Sequence, residues 1–232
     1  MIIHPLRNRS RAFSLVEVAL AVTIVAVVIL AAIGLLVPAQ RAIDDVLGTD
    51  QATRLRAEIE KELSVVRPGE TYASGFDKAY KILQKSNDRE GLLCAFSYRA
   101  EKPTGGAGTS ATDTDGRLKP FTETVKDKRV GEDYVIQAAV MTVAKFETQK
   151  KMLDAIEGKL FVVRLTYLKG LLPPESDAAF GGGSSDSFPE AVLPATAEFF
   201  MAEDIDDPSA SFERIKKGFV KPVLTLNLGF NR

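Results

Sequence analysis

An α+β fold, with one long amino-terminal helix laid on an antiparallel sheet of four to six strands, follows from three features of the sequence. The chain has 232 residues of which 45% are hydrophobic, enough for one domain with a real core. Val18 to Val37 is an apolar run whose only polar side chain is Thr23, and apolar residues continue past Pro38 at three- and four-residue steps. The rest of the chain then turns to short segments rich in β-branched and aromatic residues.

The elements can be taken in order. Residues 1–12 carry Arg7, Arg9 and Arg11 and no acid. A helix from Phe13 to Val37 would run about 37 Å at 1.5 Å per residue, against about 30 Å of bilayer hydrocarbon. Arginines before the run, with Asp44 and Asp45 after it, predict a single-pass segment over 13–38 with its amino terminus in the cytoplasm. Ile43, Val46, Leu47, Leu55, Ile59, Leu63 and Val66 predict an amphipathic continuation over 39–67, with Glu58, Glu60, Lys61 and Glu62 on the other faces. Gly34, Pro38 and Gly48 predict bends or local unwinding, and two separate helices broken at Pro38 are the alternative. Arg67-Pro68-Gly69 is a stop.

Residues 68–232 read as one extracytoplasmic domain. Phe76, Ala79, Tyr80 and Leu83 mark a short second helix. Strands are predicted at Leu92–Ala100, around Cys94, Phe96 and Tyr98, then at Tyr134–Phe146, Leu160–Leu168, Ala197–Met201 and Val223–Leu228, with a helical turn at Lys150–Ile156. Composition predicts long loops at about 103–117, with Gly105, Gly106 and Gly108, and at 171–189, with Pro173, Pro174 and Gly181-Gly182-Gly183.

Several functional classes fall away on composition. The single Cys94 excludes an intramolecular disulfide and a cysteine zinc cluster, and its apolar strand makes it a core residue rather than a reactive thiol. With His4 the only histidine, Ser–His–Asp and Cys–His catalysis and histidine-ligated metals find no residues. Thirty basic against 31 acidic side chains leave a net charge of −1, and removing the three leader arginines makes the remainder more acidic, so no nucleic-acid partner is expected. No cofactor is called for. The glycine clusters precede no Lys-Ser/Thr pair that would cradle phosphate. Asp113-Thr114-Asp115-Gly116 and Glu203-Asp204-Ile205-Asp206-Asp207 resemble parts of calcium loops, but neither has the full ligand pattern; calcium at Asp113/Asp115 or at Asp204/Asp206 is left open, with a solvated turn as the simpler reading.

Glu17 is out of place in a plain anchor, because a carboxylate costs about 2.5–3.5 kcal/mol at mid-membrane and less near the interface. Either its side chain snorkels to the headgroups, or it has a partner. A chain cut between Ala12 and Phe13 would offer its new α-amino group to a neighbour's Glu17 and set register between parallel helices. Arg11-Ala12-Phe13-Ser14-Leu15-Val16-Glu17-Val18 resembles the cleavage and methylation motif of type IV prepilins and type II secretion pseudopilins, and the likeness extends over about residues 7–40. Ala12 departs from the glycine usual there. The resemblance implies that Arg11 and Ala12 end the leader and Phe13 is the first, N-methylated residue. It implies that Glu17 is the fifth-position glutamate that pairs with that amine in an adjacent subunit.

By the same resemblance the chain would be a structural subunit and not an enzyme: a pseudopilin or minor pilin with a pilin-like fold. Its partners would be prepilin peptidase, other pilin subunits and the bacterial inner membrane, and it would assemble into a type IV pilus or type II secretion-type filament. The alternatives are a secretory signal peptide cut after Val37-Pro38-Ala39, or an uncleaved anchor holding an extracytoplasmic enzyme or ligand-binding domain. The mature amino terminus separates these, being Phe13, Gln40 or Met1 respectively.

Overall fold

The computed structural model describes residues 14–103, 112–113, 115–123, 126–202 and 213–232. The leader, Phe13, the glycines at 105–108 and the acidic cluster at 203–207 lie outside the described residues. The chain divides into two units, Met1–Val46 and Leu47–Arg232.

The first unit is helical from Leu15, the start of α1 (Leu15–Ser64). This helix runs unbroken through Gly34, Pro38 and Gly48, where the sequence predicts bends or a break. Pro38 has no N–H to give the carbonyl four residues back, and that carbonyl belongs to Gly34, which has open space where a side chain would stand. Elsewhere an apolar stretch offers the backbone no partner better than its own helix. Even Thr23 is satisfied locally, its hydroxyl donating to the Ala19 carbonyl at 2.8 Å.

The second unit contains the remainder of α1, followed by α2 (Gly75–Gln84), β1 (Leu92–Glu101), β2 (Tyr134–Thr142), α3 (Val143–Thr148), β3 (Ile156–Tyr167), α4 (Pro174–Gly182), β4 (Val192–Met201) and β5 (Leu224–Asn231). The strands form one sheet in the order β2-β1-β3-β4-β5, each neighbouring pair antiparallel. The α+β architecture and the strand number agree with the sequence expectation.

Strand alternation divides the core into two clusters. Leu93 and Ala95 of β1, Phe161, Val163 and Leu165 of β3, Ala197 and Phe199 of β4 and Leu228 and Phe230 of β5 pack with α1 and α2. Leu92, Cys94, Phe96 and Tyr98 of β1 and Leu160 and Val162 of β3 point the other way, where Val143 and Phe146 of α3, Met152 and Ile215 cover them. The helix contributes Ala52, Leu55, Ile59 and Leu63, all essentially without solvent exposure. Ile43, Val46 and Leu47 lie on the predicted stripe but are exposed; the buried apolar side chains of α1 are Ala52, Leu55, Ile59 and Leu63. Glu62, predicted to face outward, is buried, since it stands three residues beyond Ile59 and beside Leu63 on the face turned to the core.

Two glycines allow close approaches. A Cβ at Gly75 would lie 2.2 Å from the Ser64 carbonyl oxygen, so glycine lets α2 begin against the end of α1. Gly158 has φ +81° within β3, close to the register shift between Ala95 and Ser97 on β1. The Gln51 amide meets the next residue there, accepting from the Lys159 N–H and donating to its carbonyl, both at 3.2 Å.

Two predicted boundaries change. The expected strand Tyr134–Phe146 ends at Thr142, which caps α3 by accepting the Lys145 N–H at 3.4 Å. The segment 171–189, predicted as a loop, contains α4 and a short 3-10 turn at Ser185–Ser187. Pro174 opens the helix where its missing N–H costs nothing, and Glu175 and Asp177 suit the first turn. Phe180 then stacks on Tyr167 at 4.1 Å between centroids, and Phe188 meets Tyr80 edge-on at 5.8 Å.

Candidate functional site

The amino end of α1 is held by Ser14. Its hydroxyl accepts the Glu17 N–H at 3.2 Å, and its carbonyl accepts from Glu17 and Val18 at 3.0 and 3.2 Å. Ser14-x-x-Glu17 is the spacing of a capping box, and it places the Glu17 carboxylate in the first turn, where the positive end of the helix dipole favours an anion. That spacing is the sequence signal that fixes the position of Glu17. Glu17 is exposed, and among the described residues none pairs with its carboxylate. Leu15–Gln40 follows, 26 residues long, and its most apolar 18 residues have a mean hydropathy of 3.1 with none of them buried. Its exposed apolar surface fits a single-pass membrane anchor. Arg11, Ala12 and Phe13 lie outside the described residues.

A second polar constellation lies in the domain core and was not evident from the sequence. Glu62 Oε2 accepts from Arg67 Nε and Nη2, each at 2.7 Å, while Oε1 accepts from Lys78 Nζ at 3.0 Å and Arg117 Nη2 at 2.8 Å. Lys78 also donates to Glu70 and to the Val65 carbonyl at 2.9 and 3.1 Å. Arg117 Nη2 donates to the Val140 carbonyl at 2.7 Å. Burial pushes the Glu62 carboxyl up, but the Arg67 hydrogen bond and the charges of Arg117, Lys78 and Arg67 outweigh it and hold the group below its ordinary value. The helical spacing of Ile59, Glu62 and Leu63 is the signal that puts a charge on the buried face; its partners come from segments far apart in sequence.

The predicted chemistry can be placed residue by residue. Asp113 Oδ1 accepts the N–H groups of Asp115 and Arg117 at 2.9 and 3.0 Å, which closes its own turn. Asp115 Oδ2 accepts from Lys145 Nζ at 2.7 Å and Gln149 Nε2 at 3.0 Å. Side-chain cations therefore occupy the place beside Asp115 that calcium would need, and the turn is an ion-paired corner rather than a freely solvated one. Asp204 and Asp206 lie outside the described residues. Among the described residues, no group of three or more His, Cys, Asp or Glu is placed to hold a metal. Cys94 is buried in β1, and burial raises its thiol far above the ordinary range, as a core residue requires. Ser176 and Ser185 are both buried and bond to Glu190 and Asp77, at 3.1 and 2.6 Å.

Comparison with known proteins bears on the amino terminus. Residues 7–33 match the family model of the prokaryotic N-terminal methylation motif. No curated protein and no solved structure matches the chain. The motif points to a structural subunit rather than an enzyme. The amino terminus thus carries a prokaryotic N-terminal methylation motif, which is consistent with a type IV prepilin-like family and indicates a prepilin-type substrate of prepilin peptidase.

Proposed function

We propose that the protein is a pseudopilin or minor pilin that assembles into a type IV pilus or type II secretion-type filament. Prepilin peptidase cuts the 1–12 leader between Ala12 and Phe13, and the new Phe13 amine is methylated. Residues 13–38 hold the subunit in the inner membrane, with the leader in the cytoplasm and the 68–232 domain outside, until the helix passes into the filament core. There the Glu17 carboxylate pairs with the methylated Phe13 amine of the adjacent subunit, and the apolar faces of Val18–Val37 pack against other helices. The observation that carries this reading is a methylation motif joined to a helix of membrane length whose first turn holds a lone carboxylate.

The reading requires geometric selectivity from Glu17. A charge in low dielectric is stabilised by an opposite charge at one depth and not at others, so pairing fixes the axial register of parallel helices. The shape of the domain sheet then decides lateral contacts, which is where a minor subunit would acquire specificity.

The test is mass spectrometry of the protein from its native host. The expected mature chain starts at N-methyl-Phe13. Ala12→Glu should block maturation, and Glu17→Ala should be processed yet be lost from sheared filaments. An unmethylated chain that starts at Met1 or Gln40 would overturn the proposal.

A further inference from the structure

A trough lies beside the first turns of α1 in the Leu47–Arg232 unit. Its volume is about 560 Å³, and its walls include Leu47, Gln51 and Arg54 of α1, Tyr134 and Ile136 of β2, and Val130. Leu47, Val130 and Ile136 are 58, 60 and 43% exposed, three of the large apolar side chains that this unit leaves to solvent. Four charged residues also line the trough, and they balance, Asp50 and Glu157 against Arg54 and Lys159. Asp50 is paired with Arg54 at 3.0 Å and Glu157 with Arg99 at 2.7 Å, so cations already hold both carboxylates. A lining of this kind selects no ion. Its exposed apolar walls call for an apolar occupant, and a helix already forms one of its sides.

The chain carries a stripe that answers this description. Leu36, Ala39, Ile43 and Val46 follow one another at steps of three, four and three residues, so they share one face of α1, and all four are exposed. The next step of four reaches Asp50, which belongs to the trough, so the stripe ends where the trough begins. Register connects the two. When the Phe13 amine of one subunit stands level with Glu17 of its neighbour, their parallel helices are offset by four residues, about 6 Å along the axis. The same offset sets Ile43 of the first subunit level with Leu47 of the neighbour, and Val46 level with Asp50, which is the height of the trough. We propose that the trough receives the Ile43–Val46 stripe of a second copy of this chain as a helix-in-groove contact. The proposal rests on the prepilin reading, since the offset comes from the Glu17 pairing. Trough and stripe are different surfaces, so the contact is heterologous, and its axial offset keeps it from closing into a ring. It propagates as an open array in which every α1 points the same way.

The experiment uses two distinguishable versions of the full chain made together in the native host, one with Val46→Cys and the other with Ile136→Cys. Membranes and sheared filaments are treated with a short thiol-to-thiol cross-linker. Cys94 is buried and burial raises its thiol far above the ordinary range, so it takes no part. The expected result is a cross-linked pair holding one copy of each version, formed only when both are present. Ile136→Asp puts a charge into the trough at an exposed position; it should be processed to a Phe13 start and then be lost from sheared filaments. Leu171→Asp, 66% exposed and beyond the far end of β3, should assemble like the unchanged chain. Absence of the mixed product in chains that begin at Phe13 overturns the contact and leaves the prepilin reading standing, whereas a different mature start overturns both. A product from Val46→Cys or Ile136→Cys alone, or filaments that retain Ile136→Asp, would also overturn the contact.

Discussion

Glu62 illustrates how much one side chain can be asked to do. It joins Arg67 after α1, Lys78 on α2 and Arg117 before β2, and all four are buried or nearly so. Removing the carboxylate takes the shared acceptor from Arg67, Lys78 and Arg117, although Lys78 keeps a carboxylate at Glu70, and a buried ion pair broken on one side costs about 3–5 kcal/mol. Glu62→Gln should therefore destabilise the folded domain by about that amount in urea unfolding. The sign of the pH dependence follows from the same geometry. Glu62 and Asp115 are both held below their ordinary values of 4.5 and 3.8, Glu62 by Arg67, Arg117 and Lys78 and Asp115 by Lys145, Gln149 and Arg117, in each case against burial. Such groups stabilise the fold above their unfolded pKa, and this contribution is lost as pH falls through the lower folded pKa. Wild-type stability should accordingly fall on acidification below about pH 4.5, and Glu62→Gln should lose part of that slope; a variant with an unchanged acid limb would contradict the role given to Glu62.

At the scale of elements, the residues that fix α4 are remote from it. Tyr80 donates its hydroxyl to the Ala179 carbonyl at 3.0 Å, Tyr167 donates to Asp177 at 2.8 Å, and Phe180 stacks on the Tyr167 ring. Phe180→Ala removes that stack, and truncating a buried aromatic costs about 3 kcal/mol. Amide hydrogen exchange across Pro174–Gly182 should then quicken far more than across β1 and β2, none of whose rings meets Phe180. These long-range partners also explain what the sequence concealed. Pro173-Pro174 and the glycines at 181–183 are loop signals, yet the same residues can open and close a short helix once a sheet is present to receive Phe180. The strands were easier to read because period-two alternation is local; Phe161-Val162-Val163 sends its members to opposite clusters. The sequence predicts β4 only from Ala197, whereas it begins at Val192. The cause is Pro194, which lowers the strand signal, although its carbonyl still accepts the Leu168 N–H at 3.1 Å. Of the candidate site, the motif Arg11 to Val18 was legible because it is contiguous. The Glu62 cluster was not, because Arg117 stands 55 residues from Glu62.

For the whole molecule, the two units differ in what they need from their surroundings. Met1–Val46 exposes large apolar side chains along Leu15–Leu36, while in Leu47–Arg232 the helix residues Ala52, Leu55, Ile59 and Leu63 are buried in the same cluster as Phe161, Phe199 and Leu228. The boundary that matters for folding therefore lies near residue 47, not at the helix stop at Arg67-Pro68-Gly69. A chain that begins at Leu47 keeps the whole apolar stripe of α1, Gln51 with its bonds to Lys159, and the Glu62 network. It should be soluble without detergent, with cooperative unfolding and a midpoint close to that of the full chain. A chain that begins at Pro68 retains every strand but loses Leu55, Ile59 and Leu63 from the core, each worth about 2–5 kcal/mol on truncation, and strips Lys78 and Arg117 of Glu62. Those losses together match or outweigh the 5–15 kcal/mol that an ordinary domain has to spare, so the shorter chain should remain unfolded or aggregate. Circular dichroism and size-exclusion chromatography of the two truncations decide the matter. A folded, monomeric chain from Pro68 would mean that α1 is an appendage to the sheet rather than part of its core.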